Sequence, residues 1–316
     1  LFSETAVAPA CSEENPVKLC TWPSAHLFIA TTSSSELSGT GTAVIDYNPA
    51  TKNVTTVLVT TDLLDGISFS SRGELFVSSP GKIRKVDHDL LALQDYVTWS
   101  DDVSNVSLAP NEGSVLVGCT LMGPLRIGCA GGGIEYLLPA HSFADNVKWQ
   151  NLAADPVTRD VYFISEFAPT NYALWRVFWD GRSSVRSFDV AANLSVGAAV
   201  PAGMCIDSTG TVYIVFDGND NYRRIVTVSS TGAVDYDFFN FYTYYEMNSE
   251  QAGRWGSIAY LAGKLYVIDQ RNDRLVIVSK GGQWLDEVKS TTFSAPFFDG
   301  GRYAICASEP RICPGK

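Results

Sequence analysis

A short pattern of apolar and polar positions recurs along the chain. Each copy has an apolar stretch, then a polar turn with Gly, Asp or Asn, then a strand of mostly apolar residues. Clear copies pair Ile67-Ser68-Phe69 with Leu75-Phe76-Val77, and Val106-Ser107-Leu108 with Val115-Leu116-Val117. Others pair Leu152-Ala153-Ala154 with Val161-Tyr162-Phe163-Ile164, Met204-Cys205-Ile206 with Val212-Tyr213-Ile214-Val215, and Ile258-Ala259-Tyr260 with Leu265-Tyr266-Val267-Ile268. A weaker first copy joins Leu19-Cys20-Thr21 to Leu27-Phe28-Ile29. The second strands start at Leu27, Leu75, Val115, Val161, Val212 and Leu265, at intervals of 48, 40, 46, 51 and 53 residues.

Most of these hairpins are followed by two more strand-like runs, such as Ile83–Val86 with Leu91–Leu93, and Leu275–Val278 with Trp284–Val288. Four antiparallel strands in every 40–50 residues is the signature of a β-propeller blade. One blade cannot bury both of its faces alone, and radial packing with ring closure buries them. The expected fold is all-β, a six-bladed β-propeller with terminal arms. Residues 1–16 form an N-terminal arm, 17–292 the propeller and 293–316 a closing strand or tail. A seven-bladed ring is the alternative. In it, the hairpin-like run Ala295–Cys306 opens a further blade that a strand near Glu4–Ala10 completes.

The last copy reads Leu265-Tyr266-Val267-Ile268-Asp269-Gln270-Arg271-Asn272-Asp273-Arg274-Leu275-Val276-Ile277-Val278. This resembles the NHL-repeat pattern of strand, Asp, Asn, Arg and a second apolar strand. The copy before it follows the pattern loosely through Asp217, Asn221 and Arg223-Arg224, and the earlier copies depart from it. The Asp and Asn of this pattern read as turn residues that hydrogen-bond the backbone.

Composition adds a compartment. The seven cysteines include three close pairs, Cys11/Cys20, Cys119/Cys129 and Cys306/Cys313, with Cys205 in an apolar strand as a buried free thiol. None of the spacings is a CxxC pattern. Close pairs suit short-loop disulfides in an oxidising compartment, and a terminus-closing bridge such as Cys20 to Cys306 is the other arrangement. Asn53, Asn105 and Asn193 each begin an Asn-x-Ser/Thr sequon. The chain opens at Leu1 without Met. These features together point to a secreted, extracellular, glycosylated protein read in its mature form. Net charge is −11, which sets aside nucleic acid and anionic membranes as partners. No apolar run approaches the ~20 residues that span a bilayer, so membrane insertion is not expected.

Candidate chemistry is sparse. His26, His88 and His141 share no metal-ligand spacing. The resemblance extends to amidating lyases with zinc-binding histidines, but no motif of theirs maps here. Propellers that resemble the calcium lactonases gather Asp, Asn and Glu at the start of the innermost strands, where a hard cation finds oxygen ligands. The positions here that answer to this are Asp65, Asn105, Asn146, Asn151 and Glu246. The match is poor, so the expected catalytic and metal sites are none, and calcium enters only with the lactonase-like alternative. The run Asp217-Gly218-Asn219-Asp220-Asn221 lacks the later Glu of an EF-hand and reads as a turn.

From Tyr236 to Tyr245 seven of ten residues are aromatic. Strict alternation places Tyr236, Phe238, Tyr242 and Tyr244 on one side, and Phe239, Phe241 and Tyr245 on the other. That run is either an outer strand packed between neighbours or a contact strip for protein or glycan. The leading expectation is a non-catalytic binding or structural module with protein or glycan partners, self-associating as a homo-oligomer or filament through its arms. The alternative is a calcium-dependent hydrolase with its site in the channel.

Overall fold

The computed structural model describes residues 22–23, 25–33, 41–62, 64, 66–69, 74–79, 81–87, 91–98, 108–111, 114–119, 123–127, 134–136, 148–158, 160–168, 171–179, 185–218, 222–243, 255–270, 272, 274–289 and 303–308. Its strands form six four-stranded sheets, all antiparallel. Sheet 1 holds β1 (Leu27–Ser33), β2 (Gly41–Asn48) and β3 (Asn53–Thr60). Sheet 2 holds β4 (Gly66–Phe69), β5 (Leu75–Ser79), β6 (Lys82–Asp87) and β7 (Ala92–Thr98). Sheet 3 holds β8 (Leu108–Asn111), β9 (Ser114–Cys119), β10 (Gly123–Ile127) and β11 (Ile134–Tyr136), described by backbone alone.

Sheet 4 holds β12 (Lys148–Ala154), β13 (Val161–Ala168), β14 (Asn171–Trp179) and β15 (Val185–Ser195). Sheet 5 holds β16 (Val200–Ile206), β17 (Val212–Asp217), β18 (Arg224–Val228) and β19 (Val234–Asn240). Sheet 6 holds β20 (Trp255–Leu261), β21 (Lys264–Asp269), β22 (Arg274–Ser279) and β23 (Trp284–Lys289). The last strand, β24 (Tyr303–Ala307), returns to sheet 1, whose order is β24-β1-β2-β3.

The first strand of each sheet touches the first strand of the next. The cycle runs β24, β4, β8, β12, β16, β20 and back to β24. The chain is therefore an all-β β-propeller. The seven-bladed alternative is corrected here, because β24 pairs with β1 from Leu27↔Ala307 to Thr31↔Tyr303 instead of opening a sheet of its own. The place beside β1 that the weak first copy gave to Leu19–Thr21 is taken by β24.

Burial explains the sequence pattern. The second strands are apolar at successive positions because both of their faces meet a neighbouring sheet. All five residues of β5 are buried, as are Leu265 to Asp269 in β21 and Arg274 to Val278 in β22. The outermost β19 alternates half-buried with exposed positions over most of its length. Each described seam has its own core. Ile29, Ile45 and Tyr47 meet Leu261, Tyr266 and Ile268 between sheets 1 and 6. Leu174 and Leu194 meet Met204 and Ile214 between sheets 4 and 5. Tyr213 and Val215 meet Ile258 and Val267 between sheets 5 and 6. Each such side chain contributes about 1.5–3 kcal/mol on burial.

The seam between sheets 1 and 2 also takes in the chain before β1. Trp22 stands edge-on to Phe28 at 5.5 Å, and Phe28 edge-on to Phe69 at 5.0 Å. Ala25 N donates to Ser308 O at 2.9 Å, and Ser308 N donates to His26 O at 2.8 Å. Ser308 Oγ donates to Pro23 O at 2.8 Å. The chain thus enters and leaves the ring side by side. Leu91, expected in a strand, instead occupies the β6–β7 turn with φ 47°, a left-handed conformation that ends the pairing at Ala92.

Candidate functional site

The inner strands of sheets 4, 5 and 6 each break register near their start, between Gln150/Leu152, Pro201/Gly203 and Trp255/Ile258. A bulge turns one residue out of the ladder and re-aims its side chain. In β12 that residue is Asn151, held at φ 48°. Its Nδ2 donates to Pro201 O of the next inner strand at 3.1 Å. Between sheets 5 and 6 the backbones approach so closely that a Cβ on Gly203 would lie 2.8 Å from Ser257 Cα. Asn151 thus ties the inner strand of sheet 4 to that of sheet 5 through its Nδ2. Asp65, Asn105, Asn146 and Glu246, the other positions of the calcium alternative, lie outside the described residues. Among the described residues, no group of three His, Cys, Asp or Glu side chains is placed to hold a metal ion.

The Asp-Asn-Arg pattern is a turn lock. Fully buried Asp269 accepts from Asn272 N at 3.3 Å, Asn272 Nδ2 at 2.8 Å and Arg274 Nε at 3.0 Å. Arg274 carries the network outward through Nη1 to Glu287 Oε2 at 2.5 Å. Its guanidinium lies 5.6 Å from the centre of the Trp284 ring. At the matching place in sheet 5, Asp217 Oδ1 accepts from Arg223 Nε at 3.3 Å.

The opposite end of the sheets carries a second set of Asp turns. Asp155 Oδ1 accepts from Val157 N at 2.7 Å and Thr158 N at 3.0 Å. Asp207 Oδ1 accepts from Thr209 N at 2.8 Å, Thr209 Oγ1 at 2.6 Å and Thr211 N at 3.0 Å. Its Oδ2 accepts from Tyr213 OH at 3.1 Å and meets Lys280 Nζ of sheet 6 at 2.6 Å. Burial pushes this carboxyl up, but Lys280 and the Thr209 and Thr211 donors together hold it below the usual carboxylate range. Lys280 is raised by the same bond to Asp207. Nothing in the local sequence announces this pair, because its members sit in different repeats. The pairing of Lys52 Nζ with Asp286 Oδ2 at 2.9 Å crosses from sheet 1 to sheet 6 in the same way.

Of the histidines, His26 is described. Its Nδ1 lies 2.7 Å from Asp46 Oδ1 beside the chain closure. Burial raises the Asp46 carboxyl, and His26 opposes that shift. His88 and His141 lie outside the described residues.

The aromatic run departs from strict alternation. Between Ile225↔Phe239 and Thr227↔Asp235 the ladder slips. Tyr236 therefore packs with the core of sheets 4 and 5, and Phe238 with that of sheets 5 and 6. Tyr236 OH donates to Asn193 O at 3.3 Å and accepts from Ser195 N at 3.4 Å, on the edge of β15. Phe239 and Phe241 are buried, with ring centres 4.8 Å apart. Tyr242 is half-buried in a helical turn, and Tyr244 lies outside the described residues.

Asn53 and Asn193 are exposed on the outermost strands β3 and β15, while Asn105 lies outside the described residues. Cys205 is a free thiol whose pKa burial drives far up. Cys306 sits in β24 opposite Phe28 and packs against the core of sheets 1 and 2. No disulfide joins two described residues. Cys11, Cys20, Cys129 and Cys313 lie outside them, and of Cys119 the backbone is described. The hairpin register pairs Gly123 with Cys119 and Ile127 with Val115.

No family model and no curated protein matches the sequence. Solved structures do match the fold. A chain of a nidogen/laminin complex superposes with a TM-score of 0.63 at 12% identity, over 90% of this chain and 99% of that one. TolB from Acinetobacter baumannii gives 0.65 at 10% identity, over 90% and 67%. A luciferin-regenerating enzyme gives 0.55 at 14% identity, over 75% and 78%. At these identities the likeness is one of β-propeller fold.

Proposed function

We propose that the chain is a secreted, glycosylated six-bladed β-propeller, a non-catalytic extracellular module that binds protein or glycan partners and associates with its own kind. The six sheets and their closed cycle of first strands support the blade count. The observation that carries the functional reading is how the polar groups near the ring's two ends are spent. Asn151, Asp217 and Asp269 at one end, and Asp155 and Asp207 at the other, are bonded to the scaffold. A ring built this way offers faces and a rim for contact. The propeller of the nidogen/laminin complex gives a precedent for such a surface in a protein assembly. Ser308 is bonded to Pro23, Ala25 and His26, so the described residues nearest the two arms lie together, which supports association through the arms.

The test is expression of the full chain in a secretory host. Peptide mass spectrometry then reads glycan occupancy at Asn53, Asn105 and Asn193, and light scattering across a concentration series reads association. A calcium titration followed by thermal melting separates the hydrolase alternative. A Tm that rises with calcium, together with esterase or lactonase turnover, would overturn the non-catalytic reading.

A further inference from the structure

Every sheet ends in an outermost strand: β3, β7, β11, β15, β19 and β23. Such an edge presents unpaired N–H and C=O groups and is a template for another strand, and proteins guard it with charges, bulges or covers. Five of these strands carry ionisable residues, among them Asp95, Glu135, Asp189, Asp235 and Asp286. In β15 the end of the edge is also taken by the Tyr236 hydroxyl of the next sheet. The strand β3 has a register break at Val57, as other outermost strands have breaks of their own, but it differs in charge. It reads Asn53-Val54-Thr55-Thr56-Val57-Leu58-Val59-Thr60, eight residues without a charge or a proline. Thr55, Thr56 and Val59 are exposed on it, Val59 to 56%. Its β-branched composition is that of a strand that pairs readily. Besides its threonines it carries Asn53, the sequon, at its first position.

We propose that β3 is a self-pairing edge, and that a glycan on Asn53 guards it in place of the charges the other edges carry. The occupant is the β3 of a second copy. Two identical edges meet antiparallel about a two-fold axis, joining the two first sheets into one. The charges argue for this choice. A β19 edge meeting itself would bring Asp235 and Asp237 of both copies together, whereas β3 brings no like charges into register. In the antiparallel pair each Asn53 lies beside the far end of its partner strand. A branched sugar there occupies the space the second strand needs. The guard rests on the glycoprotein reading above; the pairing rests on the strand alone.

The experiment uses the full chain from a secretory host, with mass read by light scattering. Glycosylated protein is expected to be free of β3 pairing, and Asn53→Gln to run at twice the mass of one chain. Thr56→Lys in the Asn53→Gln background is expected to weaken that dimer at least tenfold. Hydrogen exchange should show β3 amides protected in Asn53→Gln and exchanging once Thr56→Lys is added, with the thermal transition retained. A monomeric Asn53→Gln protein, or a dimer indifferent to Thr56→Lys, overturns the proposal. If that indifferent dimer dissociates on Cys11→Ser or Cys313→Ser, association through the arms stands and pairing through β3 falls. If Asn53 proves unglycosylated while Thr56→Lys still breaks a dimer, the edge pairing stands and the glycan guard falls.

Discussion

Removing the Asp207–Lys280 link tests how the seam between sheets 5 and 6 is held. Asp207 is fully buried and its side chain answers Thr209, Thr211, Tyr213 and Lys280 at once. Lys280 is 41% exposed at its side chain, so water screens its half of the pair. The two truncations should therefore be unequal. Lys280→Met leaves the carboxylate with its turn donors and removes a screened countercharge, at a cost of about 1–2 kcal/mol, between the exposed and buried limits for ion pairs. Asp207→Ala strands two backbone N–H groups, two hydroxyls and the ammonium, at about 4 kcal/mol or more. Asp207→Asn falls between them, since one oxygen still caps the turn while an amide faces Lys280.

Urea unfolding followed by tryptophan fluorescence measures all three. The double variant should show a coupling of about 1–2 kcal/mol. The acid limb gives a second reading. A carboxyl held below its unfolded value stabilises the fold above that value, and this contribution is lost as pH falls through the folded pKa. Lys280→Met raises the folded pKa of Asp207, so acid unfolding should begin at higher pH. Equal costs for Lys280→Met and Asp207→Ala, or a cost below about 1 kcal/mol for Asp207→Ala, would refute the account of a buried turn cap with a screened partner.

Three further outcomes follow from local geometry. Gly263→Ala and Gly282→Ala both place a side chain at positive φ, but the first Cβ meets open space and the second falls 2.3 Å from Phe238 O. The first should cost about 1 kcal/mol and the second at least 2–3 kcal/mol more by chemical denaturation, as strain alone against strain plus overpacking. Leu91→Gly should be neutral or stabilise by up to about 1 kcal/mol in thermal melts, since the left-handed strain it relieves slightly outweighs the flexibility it adds. Asp286 is held low by its bond to Lys52. Lys52→Met should therefore move its carbon NMR titration midpoint upward, with a loss of less than about 1 kcal/mol because both side chains are exposed.

The repeat was legible where both faces of a strand are buried. Leu75-Phe76-Val77 and Val212-Tyr213-Ile214-Val215 are apolar at successive positions, and the structure begins β5 and β17 at Leu75 and Val212. What hid from the sequence was whatever depends on a register slip or a distant partner. The alternation drawn through Tyr236 and Phe238 fails at a bulge that leaves no compositional trace. Asn151 answers to an oxygen ligand by residue type and by its place at a blade entry, and its left-handed bulge becomes visible only in the structure. Lys280 and Asp207 look like ordinary turn residues until two sheets are set side by side. The turn role of Asp269 is legible in the pattern and appears as the bond from Asn272 N to Asp269 Oδ1, whereas the side-chain bonds from Asn272 and Arg274 emerge only in the structure.

The return of β24 to sheet 1 has a consequence for biogenesis. Strands β4 to β23 complete their sheets in the order in which they are made, each with its immediate sequence neighbours. Sheet 1 waits for residues translated after all the other strands. Until β24 leaves the ribosome, the nascent chain exposes the flank of β1 and leaves β20 and β4 without the strand they meet in the finished ring. Termination between β23 and Tyr303 would leave sheet 1 one strand short, with the flank of β1 unpaired.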